Sequence, residues 1–380
     1  MAHILIIDDD PVIRLLLQKT LQKLGYTILM ASNGMEGLQI IQAARPAIDL
    51  VICDWMMPHM DGLEVCRQAK ANPKSAPFFF ILLTARGGIS DRIEGLNAGA
   101  DDFLTKPIDM GEMTARIRAA LRICDLTRDL QAQKQLMESQ LAEAAAYVRS
   151  ILPAPMTHPI EINAEFIPSM QLGGDCFDYY WLDPDYLVIY LLDASGHGIG
   201  AALLSISVLN MLRSQSLPDV NFYQPASVLQ ALNENFQMDK HGDRYFTIWY
   251  GVYNRVKRQL TYASAGHPPA ILIANHATDD VEVQRLKSAG MPIGMFPDMR
   301  FENSYQTIAP QSSLYLLSDG AYEIIQADGN IWGLENLIDV IKRSQLNHER
   351  DLTSILAHIR SVNQQEDFED DLSIIQVNLD

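Results

Sequence analysis

The chain has 380 residues, 48% of them hydrophobic and 20% charged, enough for two or three ordinary globular domains. Its net charge of −18 argues against nucleic acid as a partner, because phosphate backbones are bound through an excess of Lys and Arg. No apolar run reaches the length of a membrane span, and the N-terminal "MAHILIIDDDP" meets acids too early for a signal peptide, so a cytoplasmic protein with no membrane association is expected.

From residue 3 to about 122, short apolar strands alternate with amphipathic helices. The strands are "HILII" (3–7), "YTILM" (26–30), "IDLVIC" (48–53), "FFFILL" (78–83) and "DDFLT" (101–105). Pro11 opens the first helix, where its missing N–H costs nothing. Five such units predict an α/β domain with a five-stranded parallel sheet and helices on both faces, whose ligands bind at the carboxyl ends of the strands. Residues 112–152 contain neither Pro nor Gly, and Leu141, Ala144, Val148 and Ile151 step by three and four. That spacing fits a dimeric coiled-coil linker or a single helix packed on its own domain. The proline-rich "LPAPMTHP" (152–159) then ends it. Beyond about 160, strand-like runs cluster around helices at 199–214 and 225–238, which suggests an α+β layered fold. The resulting division is 1–122, a helical linker at 123–155, and 156–380.

Two sets of acids stand at strand ends. Asp8 and Asp9 follow the first strand and Asp54 ends the third, so a parallel sheet with these strands adjacent brings three carboxylates together. Such a group needs a cation, and hard oxygen ligands select Mg2+. Thr84 ends the fourth strand and Lys106 follows the fifth, where a hydroxyl and an ammonium would meet the oxygens of a phosphoryl group on Asp54. In the second half, Asp175 in "LGGDCFDYY", Asp193 in "LLDASGHGIG", Asp319 in "LLSDG" and Asp370 in "FEDDLSIIQV" recur at strand ends and turns. Their convergence would demand metal, and two divalent ions would activate a water and clamp a phosphoryl oxygen. The four cysteines show no CxxC spacing and are read as reduced thiols.

Over 1–122, "LIIDDDP", "VICDWMMPHMDG", "ILLTA" and "FLTKP" resemble the response-regulator receiver domain, which implies a flavodoxin-like fold. The resemblance implies that Asp54 accepts phosphate from a sensor histidine kinase. It further implies that Asp8, Asp9 and the carbonyl of Met56 help hold Mg2+, that Lys106 precedes a cis proline, and that Phe103 moves with Thr84. Over about 160–380, the order "GGD", "DASGHG", "AGHPP", "MPIG", "SDG", "DDLS" resembles the SpoIIE-type branch of the PPM serine/threonine phosphatases. That implies a β-sandwich between helical layers, with two Mn2+ or Mg2+ held by Asp175, Asp193, Asp319, Asp370 and the carbonyl of Ala194. It also implies a phosphorylated STAS-type anti-sigma-factor antagonist as substrate. His197 is either a general acid or a turn residue, His267 is assigned to packing, and Asp178 and Asp371 to supporting or surface roles. No arginine for the substrate phosphate stands near "IPSMQLGGD", where Met170 and Gln171 occupy positions often charged in the family. The reading is a receiver-controlled phosphatase, expected to be a homodimer. The rival is a non-enzymatic adaptor that binds a sigma-pathway protein.

Overall fold

The computed structural model describes residues 2–44, 47–71, 77–85, 88–169, 172–240, 242–275, 281–347, 351–365 and 367–379. They form two compact units, Met1–Glu138 and Ser139–Asp380.

In the first unit the elements alternate: β1 (His3–Ile7), α1 (Pro11–Lys23), β2 (Thr27–Ala31), α2 (Gly34–Ala43), β3 (Leu50–Asp54), α3 (Gly62–Lys70), β4 (Phe79–Thr84), α4 (Ile89–Asn97) and β5 (Asp102–Thr105). The sheet order is β2-β1-β3-β4-β5 and every pairing is parallel. Asp10 caps α1 by accepting from Val12 N at 2.7 Å, with Pro11 following, which fixes the turn after the acidic pair. One sheet face buries Leu5, Val51, Phe80 and Leu82 with Leu38 and Val65. The other buries Ile4, Ile6, Ile52 and Ile81 with Leu17, Leu21, Met113 and Ile117. Burial on both faces explains why these strands read as unbroken apolar runs.

Helix α5 runs from Met110 to Ile151. Its first turns join the first unit's core through Met113, Ile117 and Ala120, and Arg128 forms an ion pair with Asp49. Its last turns belong to the second unit, where Ala145 and Val148 are buried against Leu172 and Ala202, flanked by Leu141 and Ile206. For these turns, packing on the helix's own domain is the description that holds. The residue between Leu141 and Val148 on that face is Ala145, whereas Ala144 is exposed. Further back, Ile123, Leu126, Leu130 and Met137 form an apolar stripe that stays exposed. No described helix is long and apolar enough to cross a membrane.

The second unit contains β6 (Glu161–Ile167), β7 (Asp175–Asp183), β8 (Tyr186–Ala194), α6 (Ile199–Arg213), α7 (Pro225–Asn235), β9 (Phe246–Asn254), β10 (Gln259–Ala265), β11 (Ala270–Asn275), β12 (Val281–Leu286), β13 (Ser304–Thr307), β14 (Ser312–Leu317), α8 (Leu334–Leu346), α9 (Thr353–Asn363) and β15 (Leu372–Leu379). Two antiparallel sheets, β13-β10-β9-β8-β7 and β12-β11-β14-β15-β6, stack face to face. Phe177, Leu187, Leu191, Trp249, Leu314 and Ile375 fill the space between them. Helices α6 and α7 cover the outer face of the first sheet through Val208, Leu209, Val228 and Leu229. Helices α8 and α9 cover the second through Leu337, Ile341, Ile355 and Ile359. The result is a four-layer sandwich of helices, sheet, sheet and helices.

Candidate functional site

In the first unit, the parallel order carries the ends of β1 and β3 to one edge, and Asp8, Asp9 and Asp54 each place an oxygen within 4.8 Å of the others. Lys106 Nζ lies 3.0 Å from Asp8 Oδ2 and 2.9 Å from Asp54 Oδ1. Burial raises the Asp54 carboxyl above its ordinary value, against the hydrogen bond from Lys106. Burial would lower the Lys106 ammonium, but its hydrogen bonds to Asp54 and Asp8 outweigh that and raise it. Thr84 is buried at the end of β4, and with Trp55, Leu82 and Phe103 it lines a small cavity. The Lys106–Pro107 peptide is cis. Met56 follows β3 with its side chain exposed. Three hard-oxygen donors at this spacing fit Mg2+.

In the second unit, antiparallel pairing sets Asp175 at the start of β7 directly opposite Asp193 near the end of β8. Asp319 follows β14 in a short 3-10 turn, and Asp370 precedes β15. Those two segments are bound together: Ser318 N donates to Ser373 O at 3.0 Å, and Ser373 N donates to Ser318 Oγ at 2.8 Å. Acids from both sheets thus act on one another. Burial and then repulsion from Asp319, Asp370 and Asp371 push Asp193 up to about 7. Burial and the Asp370 charge push Asp319 up to about 6. Asp175 is raised well above the carboxylate range by burial first, then by Asp193 and Asp371. Its Oδ2 is buried without a hydrogen-bond partner. Gly174 lets the β7 entry lie against the Ala194 carbonyl, since a Cβ there would come within 2.6 Å of that oxygen.

A buried, orphaned carboxylate oxygen among mutually repelling acids is a donor set that suits divalent cations. Among the described residues, no three of these acids bring an oxygen each within the spacing of the first cluster. His197 lies exposed in the loop between Asp193 and α6. Met170 and Gln171 fall outside the described residues.

The sequence profile of Stage II sporulation protein E (SpoIIE) matches residues 183–380, more than half of the chain. The chain belongs to the SpoIIE family. Ahead of the SpoIIE region, the response regulator receiver domain profile matches residues 4–118. The response regulator MprA of Mycobacterium ulcerans (strain Agy99) is 44% identical over 136 residues, 36% of this chain and 57% of that protein. The MprA of Mycolicibacterium vanbaalenii is 46% identical over 121 residues, 32% of this chain and 51% of that protein. The chain therefore spans about half the length of these curated relatives. Among solved structures, the SiaA-PP2C domain of Pseudomonas aeruginosa superposes with a TM-score of 0.55 at 24% identity, over 66% of this chain and 99% of that one. It shares the fold of the SpoIIE-type unit.

Three supporting residues of the SpoIIE-type unit do more than sequence spacing shows. Asp371 is buried, and its carboxylate accepts from Ser169 N at 2.8 Å, Ser169 Oγ at 3.0 Å and Gly174 N at 2.5 Å. It ties the "GGD" entry to the last strand. Asp178 accepts from Arg213 Nε at 2.8 Å, and Arg213 Nη1 donates to Ile151 O at 3.0 Å, so the end of α5 is fastened to β7 through α6. His267 is buried with Nδ1 2.7 Å from Thr247 Oγ1, and Thr247 stands opposite Asp193 in the ladder. Burial pushes His267 down to about 3, against the pull of the Leu317 backbone. Because the unfolded chain takes up this proton near pH 6.5 and the folded chain does not, stability rises with pH between about 3 and 6.5 and is flat above. His267→Gln should remove up to about 5 kcal/mol of that acid-limb slope. Melting temperatures of both proteins from pH 4 to 8 test this, and parallel curves would refute it.

Proposed function

We propose that phosphorylation of Asp54 by a sensor histidine kinase controls hydrolysis of phosphoserine or phosphothreonine by the second unit. The observation that carries the reading is the facing of Asp175 and Asp193 with Asp319, Asp370 and Asp371 across two sheets, with Asp175, Asp193 and Asp319 each raised first by burial and then by neighbouring acids. An adaptor that only binds a partner has no use for buried carboxylates at such electrostatic cost. Asp175, Asp193, Asp319, Asp370 and the Ala194 carbonyl would hold two Mn2+ or Mg2+, and Asp8, Asp9, Asp54 and the Met56 carbonyl one Mg2+. Bound in the second unit, divalent ions would supply an activated water and offset the charge of the phosphate. His197, exposed in the loop after Asp193, is the candidate proton donor to the leaving oxygen. Thr84 and Lys106 would hold the phosphoryl oxygens on Asp54, with the cavity beside Phe103 giving Thr84 room to move.

The family suggests a phosphorylated STAS-type anti-sigma-factor antagonist as substrate, and the exposed stripe on α5 supports a homodimer. The domain division 1–122, 123–155 and 156–380 goes with this reading. The test is hydrolysis of a phosphoserine protein with Mn2+, with and without beryllofluoride as a mimic of phospho-Asp54. A rate that changes severalfold with beryllofluoride in the wild type and not in Asp54→Ala is expected. Absence of hydrolysis in both states, on a native phosphoprotein as well as on p-nitrophenyl phosphate, would favour the adaptor.

A further inference from the structure

We infer that Arg244 binds the phosphate of the substrate, a role for which the sequence around "GGD" offers no arginine. The inference rests on the phosphatase reading and deepens it. Arg244 precedes β9, and strand pairing carries it to the loop after Asp193: Asp193 faces Thr247 and Ala194 faces Phe246. The next pair is bonded twice, with Ser195 N donating to Tyr245 O at 2.9 Å and Tyr245 N donating to Ser195 Oγ at 3.0 Å. Arg244 is thereby held beside the loop that follows Asp193.

Its guanidinium lies against the first turn of α6. A Cβ on Gly200 would overlap one terminal nitrogen of Arg244 and fall 2.5 Å from Cζ. Glycine is a poor helix former, and at this position its missing side chain is what makes room for the guanidinium. Arg244 is half-buried, yet among the described residues it has neither an ion pair nor a hydrogen bond. In a chain with 47 acidic and 29 basic residues, carboxylate partners are abundant. Three exposed arginines of this unit take one, Arg213 with Asp178, Arg255 with Asp185 and Arg285 with Glu335, and the half-buried Arg258 donates to the carbonyls of Ile308, Ala309 and Leu379. An arginine held in place by backbone packing, with its donors unspent beside a phosphoryl-transfer site, matches a bidentate phosphate clamp.

The test uses the full chain loaded with Mn2+, with inorganic phosphate as the probe in calorimetry and as a competitor of phosphoserine-peptide hydrolysis. For Arg244→Ala, the dissociation constant of phosphate and the KM of the peptide should both rise about tenfold or more, while Mn2+ affinity and melting temperature stay at wild-type values. Arg244→Lys should recover part of the loss, since it keeps the charge without the fork. Gly200→Ala, which displaces the guanidinium, should shift both constants in the same direction. Unchanged phosphate binding in Arg244→Ala would overturn the assignment, as would a loss that merely follows loss of Mn2+ or of fold. A wild-type protein that binds no phosphate would overturn it too. Phosphate binding that depends on Arg244, in a protein that hydrolyses nothing, would instead sink the phosphatase reading and leave the anion site standing.

Discussion

Asp193→Asn should abolish hydrolysis and, at the same time, make the metal-free protein more stable. The two effects have one cause. Asp193 is held near 7 by burial and by the charges of Asp319, Asp370 and Asp371, where an unfolded chain would ionise it near 3.8. A carboxyl raised in this way contributes stability that is intact below its unfolded value and is lost as the pH climbs through about 7. At pH 8 the metal-free fold therefore carries the whole cost of a buried charge beside other acids, up to about 4 kcal/mol. The amide removes that charge, and for a unit of this size each kcal/mol moves the melting temperature by about 2–4 °C. Mn2+ should stabilise the wild type by neutralising the same acids and should stabilise the variant much less. Loss of activity should be at least about a hundredfold, since even partners behind a ligand are worth tenfold to a hundredfold. Melting curves in chelator at pH 5 and pH 8 decide the matter. Equal melting of the two proteins at pH 8 would mean that the acids do not form one charged cluster.

The second large effect concerns α5, where lysine at two places should do different damage. Val148 is buried against Leu172, which leads into "GGD", and Ala202, which follows the "SGHG" loop. Val148→Lys should destabilise the second unit by roughly 2–4 kcal/mol and leave its activity indifferent to beryllofluoride, with the dimer retained. Leu126 and Leu130 are 62% and 67% exposed, so lysine there disturbs no core. The double variant Leu126→Lys with Leu130→Lys should melt as the wild type does but sediment as a monomer. A Val148→Lys protein that still responds to beryllofluoride would show that the packing of α5 against Leu172 and Ala202 does not couple Asp54 to the second unit. A double variant that stays dimeric would place the dimer contact elsewhere.

Much of this architecture is legible in the residues, and the places where it is not have physical reasons. In the first unit each motif residue stands at or just past the end of its own apolar strand, so a parallel sheet alone brings them together. β7 escapes a reading by pattern because "DCFDYYWLD" begins and ends in acid and its first five residues are buried on both faces, leaving no alternation to read. Asp370 and Asp371 are adjacent acids, and only the fold separates their roles: Asp370 is exposed, while the Asp371 carboxylate is taken up by Ser169 and Gly174. Arg244 stands far from "GGD" in sequence, and only the pairing of β9 alongside β8 carries it to the site. The buried face of α5 lies one residue away from the sequence reading, at Ala145 instead of Ala144, because alanines at 144 to 146 give no contrast.

The bond from Ser169 to Asp371 joins segments 202 residues apart, and β6 has β15 as its partner in the sheet. During synthesis, then, the first strand of the second unit waits for the last. Until residues 370–379 leave the ribosome, the "GGD" entry has no carboxylate to hold it and Asp370 cannot join the other acids. A ribosome stalled earlier, with the first unit already out, carries a receiver that has every residue it needs and a SpoIIE-type unit that does not, so the two units are completed in sequence and not together.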